Sequence, residues 1–404
     1  MRVLIATITA GGGHLAAASA LDEAWKSLRP GDTVERVDFL KFFSPLHKKI
    51  HLDGYVKLVE RAPELWGLVF KKTDSAKATR HLSKLKLAFP SGSRARILRY
   101  LKQFSPDIVL CTHYLPLETL AILKTKGARL SSAAAGSSVE ARGKFQLATT
   151  LGRAAAGTAA LHAPFVVSIV TDFEAHALWM EDCVDLYCVA AEETKARLVA
   201  RGAVAENVVA TGIPISARFS NKPDAKAVRK NFGWRDDLPV LLVLSGGFGM
   251  GPVAEILAEL DKVPQPFQTI VVCGRNEELR RELATQDRKH PTHILGFSSN
   301  MHEPMAVADL IITKPGGLTS SEALALGKPL FILNPIPGQE AANSDFLLER
   351  GAAAKVNRVE DLPYRVGQLL GSKKLSEMAK AAKALGHPHA AADICREAVR
   401  RAAG

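Results

Sequence analysis

Three glycines and a histidine, Gly11-Gly12-Gly13-His14, stand between an apolar run, Val3 to Ile8, and an alanine-rich stretch. Glycines there allow close backbone approach, and a helix opening at that point offers free N–H groups to an anion or a developing negative charge. Gly11 to Ala16 also fits G-x-G-x-x-A, with Asp38 at the end of the next strand, where a dinucleotide fingerprint wants an acid. His14 is the residue that such a fingerprint has no use for. It can act as a base near neutral pH, or it can close the helix start through local hydrogen bonds. The second half repeats the device. Ser245-Gly246-Gly247-Phe248-Gly249 follows an apolar run but lacks the Gly-Lys-Ser/Thr of a Walker loop. Pro315-Gly316-Gly317 follows another run and leads into Thr319 and Glu322. Two such turns at one sheet edge can hold a diphosphate on backbone amides, with Glu322 accepting hydrogen bonds from a ribose. A third loop bunches Gln339, Glu340 and Asn343 at a helix start, where amide and carboxylate groups suit the vicinal hydroxyls of a sugar. Three glycine turns on successive strand ends point to a nucleotide-sugar site.

The elements that must position these groups alternate. Apolar runs at Val3–Ile8, Thr33–Phe39, Asp107–Thr112, Phe165–Val170, Leu186–Ala190 and Val208–Thr211 read as strands, with a helix over His14–Leu28. They are short and continuous rather than alternating, as in a parallel sheet covered on both faces. A turn-rich linker, Gly212–Asp224, precedes a second set at Pro239–Leu244, Thr269–Cys273, His293–Phe297, Leu310–Thr313 and Leu330–Leu333. The expectation is two doubly wound α/β domains facing across a cleft: an acceptor- and membrane-facing domain over 1–215, a donor domain over 216–373, and C-terminal helices over 374–404 that return to the first. Residues 126–163, rich in small side chains and without a strong period, read as an insertion.

The 404 residues carry a formal charge of +12, with 47% apolar and 23% charged residues. That composition belongs to a globular chain. No apolar run is long enough to span a membrane, and the first residues read as a strand rather than a signal peptide. Five scattered cysteines without a CxxC pair predict buried thiols in a reducing compartment. Between Lys41 and Gln103, fifteen Lys and Arg face four acids. Such a block attracts nucleic acid or an anionic membrane surface. Its apolar interleaving, above all Trp66, Phe70, Lys71 and Lys72 in "ELWGLVFKK", fits a helix with two aromatic rings in a lipid interface and lysines on the headgroups. A solvated basic face over an ordinary core fits as well.

Taken together, GGGH, "TDFEAHALWMEDCVDLYCVA", "TGIPI", "CGRNEEL", "ILGF", "TKPGGLTSSEALALGKP" and "PIPGQEAAN" resemble the monogalactosyldiacylglycerol synthases and the processive diacylglycerol glucosyltransferases. The resemblance covers nearly the whole chain. It implies the GT-B fold and transfer of glucose or galactose from UDP-glucose or UDP-galactose to diacylglycerol, by a protein peripheral to the cytoplasmic face of the cell membrane. It favours anionic membrane lipids, not nucleic acid, as partners of the basic block. By position it makes Pro315, Gly316, Gly317 and Thr319 the diphosphate clamp, helped by Ser245, Gly246 and Gly247. Glu322 becomes the ribose ligand, Arg275 and Phe297 neighbours of the uracil, and Gln339, Glu340 and Asn343 the hexose-facing set. Gly12, Gly13 and His14 would face acceptor and phosphate.

In such a transfer the acceptor hydroxyl needs a base, and the leaving diphosphate gains charge. His14 is the candidate base, with Asp172 and Glu174 as carboxylate competitors or as groups that orient it. No Asp-x-Asp pair offers a metal site, so no metal or other cofactor is expected, and the charge falls to helix N-termini and backbone amides. A UDP-sugar 2-epimerase shares such an architecture without needing a lipid-facing block, and a non-catalytic UDP-sugar sensor is a third reading. A dinucleotide oxidoreductase leaves the PGG and PGQE loops unexplained.

Overall fold

A computed structural model describes residues 1–9, 12–45, 48, 62–74, 91–121, 163–221, 223–246, 251–333 and 335–403. Gly11, Gly247 and nearly all of the 126–163 insertion lie outside them.

Two six-stranded sheets form, parallel throughout. The first contains β1 (Arg2–Thr7), β2 (Thr33–Asp38), β3 (Ile108–Cys111), β4 (Phe165–Ile169), β5 (Leu186–Val189) and β6 (Val208–Ala210), in the order 2-1-3-4-5-6. The second contains β7 (Val240–Leu244), β8 (Gln268–Val272), β9 (Thr292–Leu295), β10 (Leu310–Thr313), β11 (Leu330–Leu333) and β12 (Ala353–Val356), in the order 12-11-10-7-8-9. Inner strands such as Leu310–Thr313 and Leu330–Leu333 are buried at every residue. Their unbroken apolar character follows from helices on both faces. β12 was not legible as a strand: "AAKV" has two alanines and a lysine in four residues. β9 stops at Leu295, short of the expected Phe297, whose ring stands exposed in the following loop.

Five helices build and support the cleft: α1 (Gly12–Leu28), α2 (Pro63–Thr73), α3 (Gly317–Ala325), α4 (Gln339–Glu349) and α5 (Ala390–Ala402). In each sheet the direction of winding reverses at one place, between β1 and β3 and between β7 and β10. Ligand crevices of doubly wound sheets open at the carboxyl ends of such strands. The four connections that leave those ends hold His14, Thr112, Gly246 and Pro315-Gly316-Gly317.

The chain crosses between the domains twice. The outward crossing passes Gly212, which has φ +85°, and the return passes His387, packed so tightly against it that a side chain on Gly212 would overlap the imidazole. Ser220 Oγ donates to the Pro388 carbonyl at 2.5 Å beside them. Beyond the return crossing, α5 lies on α1, and Ile394, Cys395 and Ala398 join Val3, Ile5, Leu21 and Trp25 in one buried cluster of the first domain. All five cysteines are buried free thiols.

Candidate active site

The two glycine-bearing helix starts meet across the cleft. Gly13 in the first turn of α1 faces the Leu318 side chain in the first turn of α3, with 3.5 Å between that side chain and a Cβ built on Gly13. Both helix N-termini therefore bring partial positive charge to one region. Gly317 is pressed onto the Thr171 carbonyl of the first domain so closely that only glycine fits. Gly316 precedes it in extended backbone, and Thr319 follows in the first turn of α3.

Beneath this junction lies a cavity of ≈ 290 Å³. His14, Asp172, Glu174, His176 and Gln339 supply its polar lining, and Trp66, Phe70, Tyr114 and Trp179 are among its aromatic walls. That size and mixed lining suit a small organic group held by a few polar contacts.

His14 is oriented by three threonines. Its Nδ1 lies 2.8 Å from the Thr112 carbonyl oxygen and 3.1 Å from Thr171 Oγ1. A carbonyl only accepts, so Nδ1 carries the proton and Nε2 keeps a lone pair. Thr7 Oγ1 donates to the His14 carbonyl at 3.1 Å, and Thr112 Oγ1 reaches Thr7 Oγ1 at 2.9 Å. Burial pushes the imidazole pKa down to about 4, against the opposing bond to Thr112. The ring is therefore neutral at physiological pH, the state a base needs. His113 packs edge-on to it, 4.7 Å between centroids, and stacks on Tyr114 at 4.2 Å. Thr112, His113 and Tyr114 escaped the sequence reading. Their signal was "CTHY" at the end of β3, the strand beyond the winding reversal.

The two carboxylate candidates have different surroundings. Asp172 accepts from Asn343 Nδ2 at 2.9 Å, and burial raises its pKa despite that bond. Glu174 is ion-paired with Arg197, a cation it shares with Asp74, so it is engaged in the fold rather than aimed at His14. Asp74 also takes Arg201 at 2.6 Å and the Ala177 N–H at 2.9 Å. Burial works against the Asp74 carboxylate, but these partners hold its pKa below the usual range.

Asn343 needs a correction. It is fully buried, and its amide bridges the domains rather than facing a sugar: Nδ2 donates to Asp172 and to the Pro315 carbonyl, while Oδ1 accepts from the Phe173 N–H at 2.8 Å. Glu340 turns back to accept from the Ile336 N–H at 2.8 Å, and burial raises its pKa. Gln339 lines the cavity, and its Oε1 accepts from Trp66 Nε1 at 3.3 Å. Glu322, half-buried one turn into α3, has no hydrogen-bond partner among the described residues, and burial pushes its pKa up to about 8. Ser245 donates its hydroxyl inward to the Val272 carbonyl at 2.8 Å, and Gly246 takes φ +76°. The Arg275 guanidinium lies over the Phe297 ring, 5.3 Å from its centroid, at the same sheet edge.

The aromatic residues assigned to a lipid interface are corrected too. Trp66 and Phe70 point inward. Both line the cavity, Phe70 packs on His176 at 4.4 Å between centroids, and a Cβ on Gly338 would come within 2.9 Å of its ring. The outer face of α2 instead exposes Leu65 and Leu68 together with Lys71 and Lys72. Among the described residues, no group of three His, Cys, Asp or Glu side chains converges as a metal site would require.

Two facing parallel sheets with a crevice at both winding reversals define a GT-B protein. Solved structures of the same shape agree: MurG of Acinetobacter baumannii matches with a TM-score of 0.58 at 17% identity, over 98% of this chain and 99% of that one. The UDP-GlcNAc 2-epimerase of Neisseria meningitidis matches with a TM-score of 0.56 at 13% identity, over 99% and 100%. A glycosyltransferase of Rickettsia africae ESF-5 also matches, with a TM-score of 0.52 at 13% identity over 98% of each chain, so fold alone accommodates both transferase and epimerase. The sequence models separate them. Residues 14–132 and 145–215 match the monogalactosyldiacylglycerol (MGDG) synthase family, and 242–394 match the glycosyltransferase family 28 C-terminal domain. Together the two matches cover most of the chain, an MGDG-synthase-type half followed by a family 28 glycosyltransferase half. A processive diacylglycerol beta-glucosyltransferase of Bacillus pumilus (strain SAFR-032) is 35% identical over 237 residues, which cover 58% of this chain and 62% of that protein. One of the same name from Bacillus cereus (strain ATCC 10987 / NRS 248) is 28% identical over 397 residues, 97% and 92% of the two chains.

Proposed function

We propose that the protein transfers a hexose from a UDP-sugar, UDP-glucose or UDP-galactose, to the free hydroxyl of diacylglycerol at an anionic membrane surface. The observation that carries this is the neutral His14, held by Thr112 in the tautomer that leaves Nε2 basic, in the wall of a largely apolar cavity at the junction of two helix N-termini. The acceptor oxygen attacks the anomeric carbon, its proton passes to Nε2, and the bond from that carbon to the diphosphate oxygen breaks to release UDP. A pKa of about 4 makes the free imidazole a weak base. A bound diphosphate nearby stabilises the imidazolium and brings the base toward the range the reaction needs. The first turns of α1 and α3 meet the charge of the leaving group through backbone amides. The aromatic and aliphatic cavity wall receives the glyceryl end and the first methylenes of the lipid, while Gln339 sits where it can touch donor and acceptor alike.

Incubation with UDP-glucose or UDP-galactose, with and without diacylglycerol vesicles, tests the reading. Lipid-dependent UDP release with glycolipid formation supports it, an epimerised sugar supports an epimerase, and binding without turnover supports a sensor. His14→Ala is expected to lower turnover at least about a hundredfold while UDP binding persists. Transfer by that variant at the wild-type rate removes His14 as the base.

A further inference from the structure

Three consecutive residues of the first domain are keyed into the second. The Thr171 carbonyl rests on Gly317, the Asp172 carboxylate accepts from Asn343, and the Phe173 N–H donates to Asn343 while its ring stacks on Phe346 at 4.6 Å. Asn343 also holds the Pro315 carbonyl at 3.0 Å, so one buried amide ties the glycine turn of the donor domain to this loop. Both of its N–H groups and its carbonyl oxygen have protein partners. The same loop reaches the base, because Thr171 Oγ1 sits 3.1 Å from His14 Nδ1, where it takes a second share of the N–H that Thr112 accepts.

We infer that Thr171 and Asn343 are positioning residues: Asn343 locks the Thr171–Phe173 loop onto the Pro315-Gly316-Gly317 turn, and the Thr171 hydroxyl passes that placement to the His14 imidazole. The base is then aligned only while the donor turn is docked. Opening of the cleft releases the Thr171–Phe173 loop from Asn343, so the Thr171 hydroxyl is no longer held at His14 and the ring is free to rotate about its bond to Thr112. This couples proton abstraction to domain closure, and it limits reaction of a bound sugar with water in the open form. It rests on the transferase reading of His14.

The test compares Thr171→Val, Thr171→Ser and Asn343→Ala in the full chain. Readouts are kcat, the KM for UDP-hexose, the Kd for UDP, and the ¹⁵N imidazole resonances of His14, assigned by their loss in His14→Ala. Thr171→Val keeps the volume but loses the hydroxyl. It is expected to lower kcat about tenfold, with KM and Kd within about twofold, and Thr171→Ser to restore most of the rate. Asn343→Ala is expected to lower kcat comparably, to shift the His14 resonances without ligand, and to add little to Thr171→Val in the double variant. Wild-type kcat in Thr171→Val, or unmoved His14 resonances in both variants, overturns the proposal. So does an Asn343→Ala enzyme that keeps its kcat but raises KM for UDP-hexose with UDP affinity unchanged, the signature of a sugar contact. If the wild type transfers no hexose to diacylglycerol, the transferase reading fails, and the resonances of the folded variants still decide the coupling.

Discussion

Glu322 is the residue whose surroundings make the sharpest claim on a ligand. A carboxyl with no hydrogen-bond partner among the described residues, and a pKa raised to about 8, is poised for hydroxyl donors that the protein does not supply. A ribose diol donating to it favours the ionised form, so binding below that pH must release a proton. UDP-hexose affinity should therefore rise as pH climbs toward about 8 and then level off. Calorimetry in buffers of different ionisation enthalpy measures both effects, and Glu322→Gln should flatten the profile. The free protein carries the opposite sign: a raised folded-state pKa stabilises at low pH, and that stability is lost as pH rises through about 8. Glu322→Gln should narrow the drop in thermal stability between acidic and alkaline buffer. At this scale the sequence was legible where backbone geometry dictates residue type, as at Gly317, and less so where a side chain has several possible uses. Asn343 is of the residue type that recognises sugars, but two of its partners, Phe173 and Asp172, lie 170 and 171 positions away, and no local pattern announces them.

Helix α2 shows the same limit one level up. Its amphipathic character was visible, but which stripe faces inward depends on what covers it. Loop 335–340 of the other domain and His176 cover the Trp66–Phe70 stripe, and Leu65, Leu68, Lys71 and Lys72 are left outside. The two stripes should separate experimentally. Leu68→Glu combined with Lys71→Glu is expected to weaken partition onto anionic phosphatidylglycerol vesicles by about tenfold or more, with UDP binding intact. Trp66→Ala should leave partition unchanged and raise the KM for the lipid acceptor. Cosedimentation and kinetics on the same vesicles check both. Strand elements were far easier to read, because burial on both faces turns them into plain apolar runs. β12, with a lysine among alanines, lacks that mark.

For the whole molecule, the doubled α/β pattern and the cleft between its halves were evident from order alone, since alternating strands and helices leave few topologies. The keyed contacts that close the cleft were not, because each joins residues far apart in sequence. One feature reaches furthest, the return of α5 to the first domain. Ile394 is completely buried there, and Ile394→Ala is expected to cost about 2–4 kcal/mol in denaturant unfolding of the first domain while UDP affinity holds. During synthesis, β1 and α1 leave the ribosome well before α5, and the helix that completes their apolar cover follows more than 360 residues later. At about 5–20 residues per second this exposes an unfinished hydrophobic face for tens of seconds. The nascent chain must keep that face from other chains until α5 arrives, which makes this domain, although its strands are synthesised before those of the other, the later of the two to be complete.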